Sequence, residues 1–135
     1  EPEHLARLFE HSSVVPAVNQ VELHPALQQR QLREYQEPRG ILTEAWGPLG
    51  QGKYALDQLP GLSKLASKHD KTIAQVLLRW HVQEGVVVFP KTTKRERLIE
   101  NIDVFDFELD QSDMAVMRAM DQGLRVGTHP NEGNW

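Results

Sequence analysis

Short apolar runs alternate along this chain with stretches whose apolar residues recur at helical spacing. Pro2 to His11 reads as a helix with Leu5, Leu8 and Phe9 on one face, and Val14 to Leu23 reads as extended and valine-rich until His24-Pro25 stops it. Gln28 to Gln36 predicts a polar surface helix, ended by the breaker cluster Pro38-Arg39-Gly40. Ile41 to Ala45 predicts a second strand, followed by the glycine-rich loop from Trp46 to Gly52; Leu62 to His69 predicts a short helix. The best-defined helix follows, with Thr72 and Gln75 at capping-box spacing, Ile73, Val76, Leu77 and Trp80 on one face, and Gly85 to close it. Val86 to Phe89 predicts a third strand, and Lys94 to Asn101 a helix capped by Thr93, which stands three residues before Glu96. Phe105, Phe107 and Leu109 alternate with Asp106 and Glu108, and a last helix starts near Asp110 and carries Met114, Met117 and Met120. The tail from Gly123 to Trp135 predicts loop.

Strand–helix alternation argues for a parallel sheet of class α/β, with strands buried on both faces, as Val86-Val-Val-Phe89 suggests. Three parallel strands alone would leave two apolar edges unpaired. A (β/α)₈ barrel needs about 250 residues, of which this chain supplies about half. The expectation is therefore a fragment of a longer polypeptide. Composition narrows the function without choosing it. A net charge of −4 over 135 residues argues against nucleic-acid binding, and the absence of cysteine excludes disulfides and thiolate chemistry. No apolar run is long enough to span a membrane and no signal core opens the chain, so a soluble cytoplasmic protein is expected.

The candidate chemistry sits at the strand ends, where ligands bind in barrels and doubly wound sheets. Lys91, Lys94, Arg95 and Arg97 crowd around a predicted helix N-terminus, where free backbone N–H groups already attract anions. That pattern fits either a phosphate site or a solvated charged turn. The other ends carry Gln20, with Glu22 and His24, and Trp46 with its glycine loop. An amide, an indole, a glycine-rich loop and a basic cluster are the parts that hold a nicotinamide dinucleotide. Simpler roles compete: Gln20 as a buried amide tying strands together, Trp46 as a plug, Glu22 and His24 as structural residues rather than metal ligands. Trp80 and the methionine stripe read as core packing, and His4, His11, His69 and His81 as surface residues.

Val18-Asn-Gln-Val-Glu-Leu-His-Pro25, Thr43-Glu-Ala-Trp-Gly-Pro-Leu-Gly-Gln-Gly52 and Pro90-Lys-Thr-Thr-Lys-Arg-Glu-Arg-Leu-Ile-Glu-Asn101 resemble the last three strand-end motifs of the aldo-keto reductases. Trp46 makes the chain most similar to the bacterial 2,5-diketo-gluconate and glyoxal reductases. The resemblance covers essentially the whole chain. It implies the C-terminal part of a (β/α)₈ TIM barrel, about its last three strand–helix units, with residues 1–135 as half of one domain. It also implies NADP(H) as cofactor: Gln20 on the carboxamide, Trp46 on the nicotinamide, Gly47 and Leu49 beside the pyrophosphate. Lys91, Thr92 and Arg97 would grip the adenosine 2′-phosphate, and Glu100 and Asn101 would approach the adenine. The family's Asp, Tyr, Lys and His tetrad belongs to the other half of the barrel; neither Tyr35 nor Tyr54 matches its tyrosine. No catalytic or metal-binding residue is therefore assigned to this chain. The whole protein is expected to be a monomeric carbonyl reductase acting on an aldehyde, ketone or sugar-derived dicarbonyl. A non-catalytic nucleotide-binding or regulatory module on the same scaffold is the alternative. Trp135 and the tail before it resemble the family's C-terminal loop, which shapes the substrate pocket; simple disorder is the other reading.

Overall fold

In the computed structural model, which describes residues 1–133, the predicted elements appear in the predicted order. Helix α1 (Pro2–His11) begins with proline, whose missing N–H would find no partner in a first turn anyway. Strand β1 (Val18–Glu22), helix α2 (Arg30–Gln36) and strand β2 (Leu42–Trp46) follow. Helices α3 (Leu62–His69) and α4 (Ile73–Gln83) lead into strand β3 (Val87–Val88), and α5 (Arg95–Ile102) and α6 (Gln111–Arg118) come last. The α4 capping box is formed: Gln75 N–H donates to Thr72 Oγ1 at 3.2 Å, and Thr72 N–H to Gln75 Oε1 at 3.0 Å. Asp110 caps α6 in the same way, accepting from Asp113 N–H at 2.9 Å. No helix among the described residues is long and apolar enough to cross a membrane.

The strands form one parallel sheet in the order β1–β2–β3. Its register sets Gln20 beside Glu44 and Glu22 beside Trp46, and on the opposite face Asn19 beside Thr43 and Val21 beside Ala45. Val21, Thr43 and Ala45 are buried, while Val18, Leu42 (54% exposed), Val87 and Phe89 (50%) are not. Helices of this chain thus cover one face of the sheet. In a closed barrel the bare face is the interior, filled by side chains of the other strands. The chain is the last three strand–helix units of such a barrel.

Beneath the covered face, Leu23, Leu62, Leu77, Trp80 and Met117 pack into one core. Gln36, fully buried, ties α2 to two strands: Asn19 Nδ2 donates to its Oε1, and its Nε2 donates to Thr43 Oγ1 at 2.7 Å. The helix predicted from Gln28 starts only at Arg30. The buried Gln28 side chain donates instead to the carbonyls of Pro25 (2.9 Å) and Met117 (2.6 Å).

Other expectations change for local reasons. Lys94, not Thr93, is the N-cap of α5: Thr92 Oγ1 accepts the Lys94 N–H at 3.1 Å, and this turn moves the helix start on by one residue. The alternating segment near Phe107 is irregular, and Gln83 holds its end, donating to Leu109 O and accepting Leu109 N–H. His81 is no surface residue. It is fully buried, with Nδ1 2.7 Å from Leu77 O and Nε2 3.4 Å from Leu23 O, and burial pulls its pKa down to about 4. His69 is half-buried and bonded to Asp113 at 2.8 Å.

Candidate functional site

Trp46, at the end of β2, borders two clefts. One, of about 500 Å³, is walled by Trp46, Gly47, Pro48, Leu49, Phe89 and Lys91 among others. The chain leaves the strand here through a left-handed turn at Gly47 (φ +64°). Gly50 is left-handed as well (φ +67°), and the Tyr54 ring lies 2.5 Å from where a β-carbon would stand. The glycines of this loop thus permit a tight turn and close packing of a ring, and Leu49 anchors the loop on the core.

Trp46 also lines a second cleft of about 420 Å³, bordered by Gln20, Glu22, Gln29, Arg125 and Thr128 among others. Gln20 is exposed, and its Nε2 donates to Glu44 Oε1 at 2.8 Å. It therefore does link neighbouring strands, on the face that helices of this chain leave bare. Beyond the first cleft, Lys91, Lys94, Arg95 and Arg97 are all exposed, and their side chains engage no carboxylate among the described residues. Lys68, Lys71, Arg79 and Arg125, by contrast, each hold a carboxylate. A group of unneutralised cations at the start of a helix is an anion-attracting surface.

The structure brings Trp46, Gly47, Leu49 and Lys91 together around one cleft, and Gln20 borders the second cleft that Trp46 also lines. Thr92 and Arg97 follow Lys91 on the turn and first helical turn of α5. Glu100 and Asn101 stand apart. Glu100 Oε1 accepts from Thr72 Oγ1 at 2.5 Å, and Asn101 lines a separate apolar groove of about 570 Å³ between α4, β3 and α5. Trp135 lies outside the described residues.

Sequence reasoning missed a buried network behind Trp46. Glu22 and His24 are inaccessible to solvent, and His24 Nε2 lies 3.1 Å from Glu22 Oε1. Tyr54 Oη lies 2.9 Å from His24 Nδ1. Since a carboxylate can only accept, His24 donates through Nε2 and receives the Tyr54 hydroxyl proton at Nδ1. The pKa values agree with that arrangement. Burial, only partly opposed by Glu22, lowers that of His24, and burial pushes Tyr54 up to about 12. Tyr54 thus keeps its proton and has the opposite bias to a phenolic acid tuned for catalysis. Glu22 also accepts the Val126 N–H at 2.6 Å and the Gly127 N–H at 3.0 Å. The Glu-x-His spacing was the one visible signal of this network; its partners in the loop and the tail lie far away in the chain.

The model of the Aldo/keto reductase family matches residues 1–122. An aldo-keto reductase of Mycolicibacterium smegmatis is 49% identical over 135 residues, covering 100% of this chain and 48% of that protein. A glyoxal reductase of Bacillus subtilis is 48% identical over 129 residues, 96% of this chain and 46% of that protein. The crystal structure of a point variant of Gox0644 in complex with NADPH superimposes with a TM-score of 0.93 at 47% identity, covering 100% of this chain and 49% of that one. The chain spans about half the length of the relatives it matches.

Proposed function

The chain belongs to the aldo/keto reductase family, and from that premise we propose that it forms the cofactor-gripping half of an NADPH-dependent carbonyl reductase. The observation that carries this reading is the cleft between Trp46 and Lys91, continued by cations that pair with no carboxylate among the described residues. When bound, NADPH supplies the hydride.

This chain's residues bind and orient. The Gln20 amide, braced by Glu44, is placed to take the carboxamide, and the Trp46 indole offers a flat apolar face to the nicotinamide ring. Gly47 and Leu49 shape the wall beside the pyrophosphate. Lys91 supplies a point charge, Thr92 a hydroxyl and Arg97 a planar fork of donors, which together suit a dianionic 2′-phosphate. That set favours NADPH over NADH. Glu100 and Asn101 complete the reading on the adenine side; Glu100 approaches only with its Thr72 bond kept or exchanged. Proton donation falls to the tetrad of the other half of the barrel.

The relatives named as a glyoxal reductase and as methylglyoxal reductases point to small dicarbonyls as substrates. The test is to mix the full-length protein with NADPH and a panel of aldehydes, ketones and dicarbonyls and to follow the nicotinamide absorbance. A substrate-dependent fall is expected. Tight NADPH binding without turnover on any carbonyl would instead favour a nucleotide-binding module, and absence of both would refute the reading altogether.

A further inference from the structure

Glu22 lies beside Trp46 in the β-sheet register, on the same face and fully buried. Its carboxylate accepts from two successive backbone N–H groups of the C-terminal segment, those of Val126 and Gly127. At Gly127 the backbone comes so close to the indole that an added β-carbon would stand 2.3 Å from Trp46 Cη2 and 2.9 Å from Glu22 Oε2. Contacts therefore close a ring around the tryptophan. Trp46 runs into the loop that seats Tyr54 over Gly50, Tyr54 bonds His24, His24 bonds Glu22, and Glu22 holds Gly127 against the far end of the indole.

We propose that Glu22 is a positioning residue for the nicotinamide-stacking tryptophan: by holding Val126 and Gly127 it presses the tail against Trp46 and fixes the orientation of the indole. The inference rests on the reading of Trp46 as the nicotinamide platform. The chemistry explains why a carboxylate stands there. Three donors converge on this side chain: the Val126 and Gly127 N–H groups and His24 Nε2–H. A carboxylate accepts from all of them, whereas an amide of the same shape has one acceptor atom and must turn its NH₂ toward a donor. In Glu22→Gln, whichever way the amide faces, at least one donor loses its partner and meets another donor. The tail then loses one of its two bonds to this side chain, and its hold on the indole loosens.

The experiment uses the full-length protein labelled with 5-fluorotryptophan, with the Trp46 resonance assigned from a Trp46→Phe variant. In Glu22→Gln the Trp46 resonance is expected to shift or broaden while that of core Trp80 stays in place. The Kd for NADPH is expected to rise about tenfold, the size of a lost hydrogen bond to a charged group. Gly127→Ala probes the same contact from the tail and leaves the buried carboxylate intact, so it serves if Glu22→Gln does not fold. It should move the same resonance and weaken NADPH in the same direction. Unmoved Trp46 resonances and unchanged NADPH affinity in a folded variant overturn the proposal. If the wild-type protein has no affinity for NADPH, the cofactor reading fails, and the fluorine resonance still decides whether Glu22 positions the indole.

Discussion

Replacing Arg97 by alanine is expected to weaken NADPH binding about tenfold and to leave NADH binding unchanged. The structure sets the terms of this estimate. Arg97 and Lys91 are both exposed, and neither side chain holds a carboxylate among the described residues. Their removal therefore breaks no hydrogen bond or ion pair among the described residues and should alter stability by no more than about 0.5 kcal/mol. A hydrogen bond to a charged group contributes about 1.5–3 kcal/mol, and solvent screening at an open site argues for the lower end. Since about 1.4 kcal/mol is a factor of ten, each cation accounts for roughly one decade of NADPH affinity. Arg97→Ala combined with Lys91→Ala should then lose somewhat less than two decades, because two groups on one phosphate are not additive. The assay is a nucleotide titration of the full-length protein with NADPH and NADH in parallel, repeated at low and high salt. The variants should also show a shallower salt dependence, since fewer counterions are exchanged. Equal losses for the two nucleotides would refute the assignment, because the 2′-phosphate is the only group that distinguishes them. So would wild-type NADPH affinity in the double variant.

Three further outcomes follow from the packing. Burial lowers the His81 pKa to about 4, whereas the unfolded residue titrates near 6.5, so below that value the unfolded state binds more protons. Stability should fall as pH drops from about 6.5 toward about 4, and denaturant midpoints of His81→Gln should lose part of that slope; an unchanged slope refutes the link. Thr72→Ala removes the α4 cap and the Glu100 contact and should destabilise by about 1 kcal/mol, with Thr72→Ser nearly neutral by the same unfolding measurement. Gly50→Ala combines a left-handed backbone with a 2.5 Å clash against Tyr54, and should lower the unfolding midpoint by more than a left-handed residue alone, roughly 1–2 kcal/mol. Wild-type stability in that variant would show that the Tyr54 ring is free to move.

Where chemistry was local, the sequence was a reliable guide. Helix α3 has the predicted ends, and Thr72 caps α4 by bonding a residue three positions away. The amide, indole and basic cluster were visible because strand ends are marked by short motifs, and the family resemblance supplied their order. The α5 cap failed for an equally local reason: two threonines compete for one turn, and spacing alone does not show that Thr92 wins. His81 was misread because a lone histidine in a helical stripe gives no sign of its depth; its partners are backbone carbonyls, one of them 58 residues away.

The sequence by itself determined the alternation of strands and helices, the α4 cap and the glycine loop, since each depends on neighbours a few residues apart. Only the tertiary structure decided which sheet face stays bare, because one face is covered by helices of this chain and the other is the interior of a barrel. Tertiary structure alone also joined Glu22 to a tail 104 residues away and set that tail against Trp46. A buried carboxylate needs donors, and which backbone supplies them is a matter of packing that no local spacing encodes.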